Sequence, residues 1–239
     1  MKNFEELKWD SDFFDLKICK IEVTDYSRNE IQSAVDSALK NGFELIYLII
    51  PDETDKNELF QSELIDNKVI FEKELRLIAE NTDTSIAEYE GSGVSGKLYE
   101  LALESGKYSR YKNDQKLPAG SYERLYRRWI ENSVNKTIAD NVFVYRFNNQ
   151  TAGMVTLKIK SNHGEIGIFA VDGSIQGHGI GSRLIKHCEN YLISKGINLI
   201  EVATQKRNAA ACNFYEKNGY KIKKSLNYYH VWKKSEYTV

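Results

Sequence analysis

Val171-Asp-Gly-Ser-Ile-Gln-Gly-His-Gly-Ile-Gly-Ser182 is a turn of small residues between an apolar strand and an amphipathic helix, and its reading decides the fold. Upstream, Ile166, Ile168, Phe169 and Val171 form the apolar run of a buried strand. Downstream, Ile180, Leu184, Ile185, Cys188, Tyr191 and Leu192 recur at helical spacing. At such a junction the first helical turn has backbone N–H groups without intrahelical partners, and the helix dipole adds partial positive charge. An anion satisfies both. Gly177, Gly179 and Gly181 lack Cβ atoms, so a phosphate can approach those N–H groups closely. The same glycines would also serve a plain strand-to-helix joint that binds nothing.

Two phosphate-binding signatures fail here. A Walker turn needs Lys and then Ser or Thr after its last glycine, whereas Gly181 is followed by Ser182 and Arg183. A dinucleotide fingerprint counted from Gly177 and Gly179 puts Ser182 where its third Gly or Ala belongs, although Glu201 stands where the ribose acid belongs.

The chain has 239 residues, 41% of them hydrophobic, enough for a substantial core. Its 33 Lys and Arg nearly cancel its 34 Asp and Glu, so there is no chain-wide field to attract nucleic acid or an anionic membrane. Cys19, Cys188 and Cys212 are scattered without Cys-x-x-Cys spacing, which argues against a disulfide framework and a zinc site. The acidic start Met1-Lys-Asn-Phe-Glu-Glu lacks the apolar core of a signal sequence, and no run of 18 apolar residues occurs. A cytoplasmic protein without membrane insertion is expected.

The polar segment Ser109-Arg-Tyr-Lys-Asn-Asp-Gln-Lys-Leu-Pro-Ala-Gly120 marks a boundary between an N-terminal α/β region, 1–115, and a C-terminal domain, 116–239. In the first region, 16–23, 45–50 and 68–78 read as strands, and 29–41 and 57–65 as helices. Residues 81–96, with Gly91, Gly93 and Gly96, form the loosest stretch and could be a flexible lid, although an idle loop is the commoner explanation. In the second, Tyr122 to Val134 reads as a helix. Strands Asn141 to Phe147 and Thr151 to Ile159 flank an Asn148-Asn-Gln150 hairpin turn. The strand 164–171, a helix from about 178 to 195 and the strand Asn198 to Ala203 make a right-handed βαβ unit. A helix Ala209 to Lys217, stopped by Asn218-Gly219, precedes a pair of strands near 220–224 and 227–233.

Written in that order, the C-terminal half resembles the GNAT superfamily of acyl-CoA-dependent N-acyltransferases. The superfamily signature Gln/Arg-x-x-Gly-x-Gly/Ala is met by Gln176, Gly179 and Gly181. Asn208-Ala-Ala-Ala-Cys-Asn-Phe-Tyr-Glu-Lys-Asn-Gly-Tyr220 supplies its later Asn and its Tyr seven residues on. The resemblance implies a mixed α/β sheet of the GNAT fold, here with an additional smaller N-terminal region, and acetyl-CoA as co-substrate with no metal. Its pyrophosphate would lie against Gln176, Gly177, His178, Gly179, Ile180, Gly181 and Ser182. Its pantetheine arm would pair with Phe169, Ala170 and Val171 as an added strand does, touching Asn208 and Phe214. A backbone N–H near Val171 would hold the oxyanion. Asn208 is equally a helix N-cap. Tyr215 is the expected acid for the leaving thiolate, since a phenol of pKa about 10 stays protonated at neutral pH; its alternative is packing on the sheet. Glu165 is a candidate base, alongside the plainer reading of a solvated strand-end acid. None of His163, His178, His187 and His230 has partners that favour a catalytic role.

Trp9-Asp-Ser-Asp-Phe-Phe14, Ser109-Arg-Tyr111, Tyr122 to Ser133 and Val202-Ala-Thr-Gln205 resemble the TDP-fucosamine acetyltransferase family. That resemblance implies an acceptor of the nucleotide-linked 4-amino-4,6-dideoxyhexose type, on the way to surface polysaccharide. Trp9, Phe13 and Phe14 are expected in the core. Arg110 is a candidate for the acceptor's diphosphate, because guanidinium forks suit it, or else bridges surface acids. A homodimer is compatible with the chain. The alternatives are an acetyltransferase for protein N-termini or lysines, which Asn208 to Tyr220 would equally suit, and a non-catalytic acyl-CoA-binding module.

Overall fold

Ten strands form one mixed sheet in the order β1-β2-β3-β10-β4-β9-β8-β7-β6-β5, in a computed structural model that describes residues 4–23, 27–52, 63–76, 83–175 and 177–233. The elements run β1 (Glu5–Glu6), α1 (Lys8–Phe14), β2 (Ile18–Glu22), α2 (Arg28–Lys40), β3 (Leu45–Pro51), β4 (Leu64–Glu74), β5 (Ile86–Glu88), α3 (Gly96–Ser105), α4 (Arg110–Asn113) and α5 (Ser121–Val134). Then follow β6 (Asn141–Phe147), β7 (Gln150–Ile159), β8 (Gly164–Val171), α6 (Ile180–Ser194), β9 (Leu199–Gln205), α7 (Ala209–Lys217) and β10 (Lys221–Trp232). Among the described residues, only β2 with β3 and β8 with β9 pair in parallel. Among the described residues, no helix is long and apolar enough to cross a membrane.

The alternation of side chains along each strand divides the core into two layers. On one face, Ile46, Leu48 and Ile50 of β3 meet Ile31, Ala34 and Val35 of α2, while Val69, Phe71, Val155 and Val202 meet Ile180, Leu184 and Ile185 of α6 and Tyr215 of α7. On the other, Leu45 and Tyr47 meet Phe14, Tyr111 and Leu125, and Val142, Val144, Met154, Ile168 and Ala170 meet Leu98 and Leu101 of α3 and Ile130 of α5. Helices α2, α6 and α7 therefore cover one face, and α1, α3, α4 and α5 the other.

Local signals explain several joints. Asn148 and Asn149 both take positive φ, 49° and 60°, between the paired Phe147 and Gln150. That is the two-residue turn a right-twisted hairpin favours. Asn208 caps α7, its Oδ1 accepting the Ala211 N–H at 3.2 Å.

Non-local packing overrides other expectations. Of the helix expected over 57–65, residues 57–62 lie outside the described residues, and Leu64 and Ile65 already belong to β4. Seven residue pairs hold β4 against β9, and it pairs with β10 on its other side. The two strands expected at the C-terminus are a single strand β10, because β3 and β4 both pair with it and keep the chain extended through Ser225–Asn227, with register shifts at Ile222/Lys224 and Tyr228/Tyr229. The loose stretch 81–96 contains β5, paired with β6, and Asp83 is tied to Arg183 of α6. Of the three aromatics expected in the core, Phe14 is buried, whereas Trp9 is 46% exposed and stacks on Phe13 at 5.1 Å. The sheet is continuous across residue 115, since β4 sits between β9 and β10.

Candidate active site

Strands β8 and β9 part company at one pair of residues. Their parallel ladder runs from Gly164↔Ile200 to Ile166↔Val202 and ends there. At that point β8 is bulged: it advances from Ile166 to Phe169 while β7 retreats from Leu157 to Val155, three residues against two. An extra residue bends a strand and swaps its faces. Ile166 thus packs toward α6, yet Ile168 packs toward α3. Thr156 fills the bulge, its Oγ1 accepting the Ile168 N–H at 2.8 Å. Gly167 has no room for a side chain, since a Cβ would lie 2.8 Å from that oxygen.

The gap opens a cleft of about 850 Å³ through the sheet. Its mouth on the α6/α7 face is lined by Phe169, Val171, Gly177, Gly179, Ile180, Gly181, Ser182, Asn208, Phe214 and Tyr215, with Ala170 in the adjoining wall. The Asp172 N–H donates to the Ala152 carbonyl at 2.9 Å. By the alternation of an antiparallel ladder, the N–H and C=O of Phe169 and Val171 then turn toward β9. Gly179 takes φ +72° just before α6, and Gly177 takes φ +86°. The first-turn N–H groups of α6 therefore face the cleft behind backbone that favours glycine. Asp172 accepts from Ser174 N at 2.9 Å and pairs with Lys97 of α3 at 2.5 Å, which fixes the start of the turn to the opposite face.

Most of the residues expected from the sequence converge here, with three exceptions. Gln176 lies outside the described residues. His178 is exposed and does not line the cleft; its Nδ1 lies 3.1 Å from the Ile175 carbonyl. Arg110 belongs to a neighbouring hollow instead. It makes no ion pair with any described acid, so it does not bridge surface carboxylates. Its guanidinium lies 4.3 Å from the ring centre of Tyr111.

Tyr215 is 4% exposed, its ring held by Phe71 at 5.6 Å, Phe214 at 5.3 Å and Tyr220 at 5.8 Å. Burial pushes its phenol well above the usual value, so it stays protonated. Its hydroxyl has no hydrogen-bond partner among the described residues, and Tyr215 lines the cleft. A proton donor thus stands beside the gap.

The mouth on the α3/α5 face has a different chemistry. Thr156, Glu165, Lys68, Tyr126 and Trp129 line it. Glu165 is exposed and lies 3.5 Å from Lys160. Of the lysines at this mouth, Lys107, Lys158 and Lys160 each have a carboxylate within 4 Å, whereas Lys68 has none among the described residues. Burial, aided by the Arg110 charge, holds the Lys68 ammonium below its usual pKa. Lys68 and Thr156 were not anticipated from the sequence: Lys68 reaches the cleft only because β4 pairs with β9, and Thr156 looks like any polar strand residue until the bulge forms. His230 likewise gains a partner 116 residues away, Asp114, at 2.5 Å.

Comparison with known proteins agrees with this geometry. Residues 103–220 match the Acetyltransferase (GNAT) family. The spore coat polysaccharide biosynthesis protein SpsD of Bacillus subtilis (strain 168) is 25% identical over 140 residues, 59% of this chain and 48% of that protein. The chain thus spans about half the length of this curated relative. A putative acetyltransferase of the GNAT family from Novosphingobium aromaticivorans DSM 12444 superposes with a TM-score of 0.55 at 15% identity, over 98% of this chain and 89% of that one. A functionally unknown conserved protein from Staphylococcus epidermidis ATCC 12228 reaches a TM-score of 0.61 at 16% identity, over 91% and 85%. These two structures share the fold, with its mixed sheet. Residues 103–220 thus belong to the GNAT acetyltransferase family, and the sheet as a whole shares the fold of these two structures.

Proposed function

We propose that the enzyme moves the acetyl group of acetyl-CoA to the amino group of a nucleotide-linked amino-deoxysugar, by direct attack in a ternary complex. The observation that carries this reading is the cleft's second mouth, where aromatic side chains adjoin Lys68, a cation without a carboxylate partner among the described residues. Such a surface suits a sugar joined to phosphates, since the phosphate supplies the missing negative charge. The similarity to a polysaccharide biosynthesis protein supports it. In this reading residues 116–239 bind the donor and residues 1–115 contribute most to the acceptor side.

On the donor side, the α6 turn, with Gln176, Gly177 and Gly179 to Ser182, takes the pyrophosphate. Phe169 to Val171 take the pantetheine amides, and Asn208 and Phe214 flank the arm. The amine nitrogen bonds to the thioester carbon and the C–S bond breaks. The sulfur receives the Tyr215 proton, and the proton leaving nitrogen, taken up by water near Glu165, is returned to the Tyr215 phenolate so that the residue starts the next turnover protonated. Both substrates of this reaction are soluble, which suits a cytoplasmic enzyme, and the step as written uses no metal.

The test supplies acetyl-CoA with TDP-4-amino-4,6-dideoxygalactose and follows thiol release, with peptide N-termini and lysine peptides as rival acceptors. Turnover on the sugar nucleotide alone is expected. Turnover only on a peptide would overturn the reading.

A further inference from the structure

A second hollow, of about 340 Å³, opens on the same face of the sheet over β2, β3 and β10. Trp129 belongs to its wall and to the wall of the cleft, so the two cavities are neighbours. The volume lies at the low end of the range for small-molecule sites. Trp9, Tyr47, Tyr111 and Tyr228 surround it, with Arg110 among them.

Arg110 is held in an uncommon way. Its guanidinium lies 4.3 Å from the ring centre of Tyr111, 4.7 Å from that of Tyr228 and 5.0 Å from that of Tyr47. Its Nη2 donates to the Tyr111 hydroxyl at 2.5 Å. Its Nε is enclosed and has no hydrogen-bond partner, and one oxygen of neighbouring Asp66 is in the same position. Aromatic faces stabilise a cation, yet a buried donor left unpaired carries a full desolvation penalty. Lys68 lies near enough to feel the Arg110 charge and also lacks an acid partner among the described residues. Two cations therefore converge on the boundary between the cavities, where Asp10 and Asp66 feel the Arg110 charge but no described carboxylate forms an ion pair with either cation.

We propose that this hollow is the nucleotide half of the acceptor site. The base stacks on the aromatic wall, where Trp9, stacked on Phe13, remains 46% exposed. The diphosphate lies between Arg110 and Lys68, and the amino sugar passes Trp129 into the cleft. Asp10 and Glu22 also line the hollow and offer acceptors to the N–H groups of the base. The assignment rests on the acceptor reading above and adds to it where the nucleoside goes.

The experiment titrates TDP and UDP into the full-length protein without acetyl-CoA, by calorimetry, for wild type, Trp9→Ala and Arg110→Lys. Trp9 is exposed, so its variant keeps the fold even if the Arg110 variant does not. Binding of a nucleoside diphosphate to wild type is expected, weakened about tenfold or more in each folded variant, with acetyl-CoA affinity unchanged. For the sugar-nucleotide acceptor, KM rises and kcat holds. Failure of wild type to bind either diphosphate, or equal binding by Trp9→Ala, overturns the inference. Acetylation of the amino sugar despite such a failure would sink this site alone. Diphosphate binding that both substitutions weaken, with no amino sugar turned over, would keep the site and sink the acceptor reading.

Discussion

The Thr156 hydroxyl accepts the Ile168 N–H at 2.8 Å, and this bond closes the bulge at which β8 leaves β9. A side chain thereby replaces the missing ladder partner of a backbone group that would otherwise be buried unpaired. Thr156→Val keeps the shape and removes the acceptor. Stability should fall by about 1–3 kcal/mol, the cost of an unsatisfied buried donor, and kcat should fall because the gap loses its fixed width. Urea unfolding and steady-state kinetics check both, with Thr156→Ser expected to retain the wild-type values.

Tyr215→Phe leaves the ring contacts with Phe71, Phe214 and Tyr220 in place and removes a hydroxyl that bonds no described residue. The fold should be unaffected. If the phenol protonates the leaving thiolate, kcat drops by roughly 10²–10⁴-fold, the usual contribution of a general acid, while acetyl-CoA affinity is retained. An unchanged kcat would remove Tyr215 from the chemistry and leave it a packing residue.

Gly179 takes φ +72° at the start of α6, and a Cβ there would meet nothing within 4 Å. The cost of Gly179→Ala is therefore backbone strain alone, about 1–2 kcal/mol. Because the strained turn is the proposed pyrophosphate cradle, KM for acetyl-CoA should rise with it. Gly181→Ala differs: its Cβ would come within 3.2 Å of the Phe214 ring. Thermal denaturation and CoA titration of the two variants separate strain from crowding.

Two buried groups give the stability opposite dependences on pH. Burial holds His230 below its usual value, only partly offset by its bond to Asp114. The unfolded chain then binds the proton that the folded one refuses, so stability falls as pH drops below about 6.5. Burial pushes Asp66 the other way, up to about 6, against the charges of Arg110, Arg207 and Lys68. Its folded form holds a proton that the unfolded chain releases, so stability is lost as pH rises from about 4 to 6. Asp66→Asn removes the second effect and exposes the first. Relative to wild type, the variant should gain up to about 3 kcal/mol more at pH 7.5 than at pH 4. Denaturant midpoints at the two pH values check it, and parallel profiles would count against a strongly shifted Asp66.

Local chemistry made several joints of the fold, the turn before α6 among them, readable before any tertiary structure. The Asn148–Asn149 turn, the Asn208 cap and the Gly177–Gly181 turn each depend on residues within a few positions of one another, and each forms where its sequence points. Nothing local marks β4 as the partner of both β9 and β10, so residues near its start read as helix. Nor does any local pattern show that Ser225–Asn227 stay extended, since the strands that hold them come from residues far earlier in the chain.

By itself the sequence determined a mixed α/β fold with a glycine-rich strand-to-helix turn followed by the Asn208 and Tyr215 pair, because period, caps and φ preferences act over short separations. Only the tertiary structure decided what surrounds that turn. The Thr156 bulge that opens the sheet, the placing of Lys68 at the second mouth and the aromatic cage around Arg110 all join residues distant in the chain. Such contacts exist only once strand pairing has fixed which side chains share a face.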